Sequence, residues 1–314
     1  MSEPVLIVGS LALDDVETPF GRQENIVGGA AYYSSVAASL FAPVNLVGVV
    51  GEDFPQEALA MLAARGIDLA GVEVVKGGKS FHWSGRYDTD MNTRDTLDTQ
   101  LNVFADFNPV LPESYKHSRY VFLANITPAL QLSVLEQMAT DAFVAFDTMD
   151  LWIETARDDL VRVMERVDLV LMNDAEVRQF AGTPNVTRAA REILSIGPQY
   201  VAVKMGEYGA TLISRDARFT LPCCPLLDVE DPTGAGDSFA GGLIGYLAWA
   251  DRHEESDLRV ALALGTITAS RCCETFGTEA LLETTPEQVY RRYETLQAIT
   301  CMRELPSDFP QAFE

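Results

Sequence analysis

The stretch Asp231-Pro232-Thr233-Gly234-Ala235-Gly236-Asp237-Ser238-Phe239-Ala240-Gly241-Gly242 joins a glycine turn to an acid and then to an apolar run. Gly234 and Gly236 let the backbone take angles closed to other residues and come close to a ligand. Residues 238–250 are almost wholly apolar, which predicts a buried helix. A helix starting here turns its free N–H groups and the positive end of its dipole into the turn, which favours an anion there. Asp237 stands at the same mouth, where a carboxylate can take the proton of a hydroxyl that attacks a phosphate. Asp and Ser are also ordinary helix caps, and glycine turns before helices are common. This run is more specific, because Asp231, Thr233, both glycines and Asp237 follow one another without a gap.

Short β-branched runs at 5–8, 46–50, 120–123, 144–147, 169–172 and 200–203 alternate with helical patterns at 33–41, 55–65, 130–140, 156–165 and 188–195. That rhythm predicts an α/β chain with a parallel sheet between helices, and a ligand beyond the carboxyl ends of the strands. Ala261, Ala263, Gly265 and Ala269 suit close packing of a second apolar helix over 258–272. The rhythm breaks at 79–107, where Phe81, Trp83, Gly85 and Tyr87 alternate, residues 89–99 read as a mobile polar tip, and Leu101, Val103 and Phe104 follow. With 16–27, this region reads as a small β-sheet covering the main one.

The 46 acids against 23 bases give a net charge of −23. Such a surface repels nucleic acid and anionic membrane, so neither is expected as a partner, while a helix dipole and a metal ion can still draw in a nucleotide. Cys223, Cys224, Cys272, Cys273 and Cys301 show no C-x-x-C spacing, which argues against a zinc or redox site. Their odd number suits reduced thiols. Met1-Ser2-Glu3-Pro4 runs straight into an apolar strand without the pattern of a secretion signal, and no apolar run has the length of a membrane span. A cytoplasmic chain is the expectation.

Residues 231–239 resemble the C-terminal signature of the ribokinase-like family, also called the PfkB carbohydrate-kinase family, D-[TP]-T-G-A-G-D-[ST]-F. The resemblance runs in the family's order from Asp14 to Gly277. It implies a three-layer α/β/α fold with a mainly parallel sheet and a small β-sheet lid. It also implies one kinase domain over 1–314, a lid formed by about 16–27 and 79–107, ATP and Mg2+ as cofactors, and a homodimer contact through the lid. In the catalytic turn, Gly234 opens the bend, Asp237 is the base, and the N–H groups of Ala235, Gly236 and Asp237 hold the developing charge.

Asp14, in Gly9-Ser10-Leu11-Ala12-Leu13-Asp14, is similar to the family's G-x-x-x-x-D acid, which binds substrate hydroxyls; a turn acid beside Asp15 has the same look. Gly28 and Gly29 resemble the start of the N-terminal signature G-G-x-x-x-N. Asn173 and Glu176 resemble the N-x-x-E motif that positions magnesium through water, and equally suit a helix cap with a capping box. Lys204, Gly206 and Gly209 resemble a hairpin that lines the nucleotide, with a plain β-turn as the simpler reading. Asp231 and Thr233 resemble ligands of a monovalent cation in some relatives, and Gly277 falls in a loop near that ion and the adenine, so potassium dependence is an expectation too.

Two positions depart from the pattern. The signature's Asn is Tyr33, and a polar position ahead of Asp14 is Ala12. An aromatic and an alanine suit a substrate with an apolar face, such as a nucleoside base, and Phe20, Phe81, Trp83 and Phe104 would extend that face. The expected substrate is a ribose-containing nucleoside or sugar, phosphorylated on a primary hydroxyl. Rival readings are a non-catalytic sensor and a phosphosugar kinase; the latter wants a basic cluster, which Arg22 and Lys79 do not make. Gly78-Lys79-Ser80 imitates the end of a P-loop, but the motif's first glycine falls at Glu73. An Asp is ordinarily ionised at neutral pH, so no large pKa shift is required of Asp237.

Overall fold

In the computed structural model, the described residues are 2–301; both ends of the expected domain, residue 1 and residues 302–314, lie outside them. The strands in chain order are β1 Val5–Val8, β2 Ala12–Thr18, β3 Gly21–Gly28, β4 Val44–Gly51, β5 Ile67–Val75, β6 Phe81–Tyr87, β7 Arg94–Gln100, β8 Tyr120–Leu123, β9 Phe143–Asp147, β10 Leu169–Asn173, β11 Tyr200–Lys204, β12 Ala210–Ile213 and β13 Arg218–Leu221. The main sheet has the order β13-β12-β11-β10-β9-β8-β1-β4-β5. Its pairs from β11 to β5 are parallel, and β12 pairs antiparallel with both β11 and β13. β1, β8 and β9 are buried along their whole length, which explains their unbroken apolar runs. Within β1, Val5 and Ile7 join one hydrophobic core while Leu6 and Val8 join another, so a core lies on each face of the sheet.

The six expected strands are present, with ends shifted by two residues at most. β5 escapes the sequence pattern because it is an edge strand with half-exposed, mixed residues. The first helix, Ala30–Ala38, starts three residues before the 33–41 pattern. Ser34 and Ser35 disguise it: both are fully buried, and Ser34 Oγ donates to the Ala30 carbonyl at 2.7 Å.

A second sheet has the order β3-β2-β6-β7. It corrects two expectations. Residues 94–100 form a fully exposed edge strand rather than a polar tip, and the tip shrinks to the turn between β6 and β7. The segment after it is a 3-10 helix, Asn102–Asp106, rather than a strand. That helix turns Phe104 inward, where its ring stacks 5.4 Å from both Phe81 and Phe107.

The helix Ala235–Ala250 lies against Ala30–Ala38 with no side chain between them at two points. A Cβ on Gly241 would stand 2.1 Å from the Ser34 carbonyl oxygen, and one on Gly245 2.8 Å from Ala38 Cα. The pairs 34/241 and 38/245 advance together, so the two helices run in the same direction and their N-termini meet. On its other side the second helix packs on Glu255–Cys272, where a Cβ on Gly265 would stand 2.6 Å from the Phe239 carbonyl oxygen. Gly241→Ala gains helix propensity but drives a methyl into backbone. We expect a net loss of about 1–3 kcal/mol in urea unfolding. A variant as stable as the parent would show that the two backbones are not in contact.

Candidate active site

Gly234, at φ 75°, is the N-cap of the helix Ala235–Ala250, so the helix starts three residues earlier than its apolar run and holds Asp237 in its first turn. The left-handed backbone at Gly234 is what lets the chain bend from Thr233 into that helix. The Ala235 N–H turns back to the Pro232 carbonyl at 3.1 Å. The amides left at the mouth are therefore those of Gly236 and Asp237, one fewer than the sequence suggests.

Beneath the turn lies Tyr33. A Cβ on Gly234 would stand 2.3 Å from its ring, and Tyr33 is only 1% exposed. This corrects the expectation that Tyr33 lines a substrate surface: it supports the turn from within the core. Its hydroxyl has no hydrogen-bond partner among the described residues. Phe20 is 60% exposed in the β2–β3 turn.

Three main-sheet strands end at this mouth with polar residues. β9 ends in Asp147, β10 in Asn173 and β11 in Lys204. Lys204 Nζ donates to Asp147 Oδ2 at 2.6 Å, and a Cβ on Gly236 would stand 3.3 Å from that ammonium, so Lys204 presses against the helix mouth. Burial works against its charge, but Asp147 and Glu176 hold it above the usual lysine value. Asn173 and Glu176 form the capping box: Glu176 N–H donates to Asn173 Oδ1 at 2.8 Å and Asn173 N–H to Glu176 Oε2 at 2.7 Å. One Glu176 oxygen stays outside the box. Burial, against the pull of Lys204 and helped by Asp147, raises Glu176 to about 7. Burial and Asp147 raise Asp237 to about 7, with Lys204 and Arg94 opposing.

Asp14 lies on β2. A Cβ on Gly28 would stand 2.0 Å from Asp14 Oδ2, and the Gly29 N–H donates to the same carboxyl. The glycine pair thus makes room for Asp14. Burial, then the charges of Asp231 and Asp237, push Asp14 up to about 8. Asp14 pairs with Trp83 of β6, so the two side chains share a face of the small sheet. The same face carries Tyr87, whose hydroxyl lies 3.3 Å from Thr233 Oγ1, and Arg94, whose guanidinium lies 5.3 Å from the Trp83 ring centre.

A cavity of about 320 Å³ opens beside the turn, walled by Lys204, Gly206, Gly209, Ala235 and Gly236. The β6–β7 turn reaches it from above: Asn92 lines it, and its Oδ1 would stand 2.7 Å from a Cβ on Gly206. Gly209 serves packing as well as room, since a Cβ there would meet the Leu221 carbonyl oxygen at 2.1 Å. Asp231 is fully buried, with Oδ1 accepting the Thr233 N–H at 2.8 Å and Oδ2 the Gly277 N–H at 3.4 Å. Each Asp231 oxygen thus carries one N–H donor from the chain itself. Among the described residues, no group of three or more His, Cys, Asp or Glu forms a metal cage.

Sequence reasoning missed Asp147, Tyr87 and Arg94. Asp147 had a signal, because it closes a parallel strand as Asn173 and Lys204 close theirs. Tyr87 and Arg94 had none, since the sheet pairing that brings them here is not local.

Amides, an ammonium and a carboxylate gathered beyond the strand ends are the equipment of a phosphotransferase with an alcohol acceptor. Comparison with known proteins agrees and names the group. The pfkB family carbohydrate kinase profile matches residues 6–285, and the chain belongs to that family. A cytidine kinase of Thermococcus kodakarensis is 31% identical over 250 residues, covering 77% of this chain and 88% of that protein. The nucleoside kinase of Methanocaldococcus jannaschii, an archaeal member of the ribokinase family, aligns in structure with a TM-score of 0.75 at 21% identity, over 93% of this chain and 98% of its own. An aminoimidazole riboside kinase from Salmonella enterica, solved with aminoimidazole riboside and an ATP analogue, gives 0.72 at 18% identity, over 92% and 99%. At those identities the two structures bear on the fold alone. The chain is a kinase of the carbohydrate and nucleoside class. No helix among the described residues is long and apolar enough to cross a membrane.

Carboxyls raised above their unfolded values bind more protons folded than unfolded. Their stability is full below about pH 4 and is lost as the pH climbs through the raised values of about 7 to 8. Melting of the ligand-free chain should therefore fall from pH 5.5 to 8.5, and Asp14→Asn should flatten that slope. An unchanged slope would mean that Asp14 is already ionised at neutral pH. Tyr33→Phe removes an orphaned buried hydroxyl; it should raise the melting temperature and leave substrate KM within about twofold. A large KM increase would return Tyr33 to the substrate wall.

Proposed function

We propose that the chain transfers the γ-phosphate of ATP to the primary hydroxyl of a ribose-containing substrate, with a nucleoside preferred to a free sugar. The observation that carries this reading is the Asp237 carboxyl in the first turn of a helix whose mouth also meets the Lys204 ammonium. ATP would occupy the cavity walled by Lys204, Gly206 and Gly209. The amides of Gly236 and Asp237, with Lys204, would steady the transferring phosphoryl group. Asp237 takes the proton of the attacking hydroxyl. With a pKa near 7 it is a stronger base than an ordinary Asp and is still largely ionised just above neutrality.

Magnesium suits the donors present. The free Glu176 oxygen gives one hard ligand, directly or through water, and magnesium keeps several waters of its own. When bound, it would neutralise phosphate charge. Asp14 would receive substrate hydroxyls, as a neutral donor and acceptor or as a carboxylate. The small sheet acts as a lid within one catalytic domain, and Trp83 is its plate for a base, with Arg94 on the ring and Trp83 Nε1 donating to Thr96 Oγ1 at 3.3 Å. The likeness to a cytidine kinase supports a nucleoside.

ADP release over adenosine, inosine, cytidine, ribose and fructose tests the reading. Nucleosides should turn over well; activity on free sugars alone would reject the preference. Asp237→Asn should fold normally and lose about 10²–10⁴ in kcat. In the parent, kcat/KM should rise with pH through an apparent pKa near 7, since the base must be ionised. Wild-type turnover in Asp237→Asn would remove the base.

A further inference from the structure

The oxygens below the catalytic turn face donors supplied by the chain itself. Beyond the two N–H groups on Asp231, the Thr233 carbonyl accepts from Cys272 Sγ at 3.2 Å, and the neighbouring Cys273 carbonyl accepts the Glu230 N–H at 2.9 Å. Cys272 ends the helix Glu255–Cys272 and is fully buried. Burial holds its thiol well above the usual cysteine value, so it keeps its proton and stays a donor at neutral pH. Potassium needs oxygen lone pairs turned toward one point. Here a thiol hydrogen faces the Thr233 carbonyl and occupies one of that oxygen's two lone pairs. With a hydrogen already on the Thr233 carbonyl and on each Asp231 oxygen, the donor set is a poor one for a monovalent cation.

We propose that Cys272 is a positioning residue: its S–H group fixes the Thr233 carbonyl, and through it the Gly234 turn, in the role a monovalent cation would otherwise fill, so that the enzyme works without potassium. The proposal rests on the kinase reading of that turn. The thiol arrives from a different helix than the one the turn opens, so it ties the turn to the core through a contact independent of Asp231.

The test compares parent, Cys272→Ala and Cys272→Ser in KCl, NaCl and choline chloride at one ionic strength. Initial rates are read with ATP, magnesium and the best nucleoside, and thermal melting is read without substrate. The parent should keep its rate within about twofold across the three salts and melt at one temperature. Cys272→Ala opens space below the carbonyl. Its rate should fall about tenfold in choline chloride and recover in KCl, and potassium alone should raise its melting temperature. Cys272→Ser keeps a donor and should stay indifferent to potassium.

A parent that gains tenfold from potassium, or melts higher in KCl than in choline chloride, overturns cation independence. Cys272→Ala with parental rate and melting in choline chloride overturns the brace. The melting comparison needs no turnover, so an inactive parent would count against the proposed function and leave this inference to be decided by melting.

Discussion

Everything at the mouth depends on two helices whose backbones touch. Gly241 and Gly245 let Ala235–Ala250 lie directly on Ala30–Ala38, and the shared direction brings their starts together. One start follows Gly28 and Gly29, which leave room for Asp14; the other follows Gly234 and carries Asp237. Helix packing therefore fixes the distance between two acids that lie more than two hundred residues apart in sequence. The acids feel that closeness, since the charge of Asp237 is among the causes that raise Asp14. Packing that is favourable for hydrocarbon imposes an electrostatic cost on carboxylates, and the chain bears it where chemistry is done.

The same cost recurs on the other side of the turn. Lys204 stands among Asp147, Glu176 and Asp237, one buried ammonium facing three carboxyls. The site is short of positive charge, and the chain as a whole, at −23, offers no long-range relief. Under the proposed reading this is a useful imbalance. A bare polyanion meets an unfavourable field, whereas a nucleotide that brings its own divalent ion supplies the missing charge. Two carboxyls held near pKa 7 also adjust, because they can share protons until that ion arrives.

Most of the framework was legible in the sequence because it rests on local pattern. Apolar strands reveal themselves by β-branched runs, and the turn by its contiguous Asp231 to Asp237. What stayed hidden depends on distant pairing. Arg94 looked like part of a polar tip, since every residue of β7 is exposed and its one apolar residue, Leu97, makes no alternating pattern that marks a strand. Tyr33 looked like a ligand contact because its position in the signature is polar; its ring instead fills the space under Gly234. Gly209 looked like room for a nucleotide, yet the backbone leaving β13 takes much of that room. An aromatic or glycine at a motif position reports that a shape is needed there, and only the packing says whether ligand or protein supplies it.

Tyr87 links the small sheet to the catalytic turn. Its ring sits on the same face of the small sheet as Trp83, and its hydroxyl meets Thr233 at the catalytic turn. Burial pushes that hydroxyl up to about 12, and its oxygen accepts the hydrogen bond from Thr233 Oγ1. The β6–β7 turn beyond it reaches the cavity through Asn92. The small sheet thus carries both the Tyr87 contact to the turn and the Asn92 side chain at the cavity. On the proposed reading, closure over the substrate and completion of the phosphate site are then one event, held by a hydrogen bond weak enough to exchange and buried enough to favour the closed form.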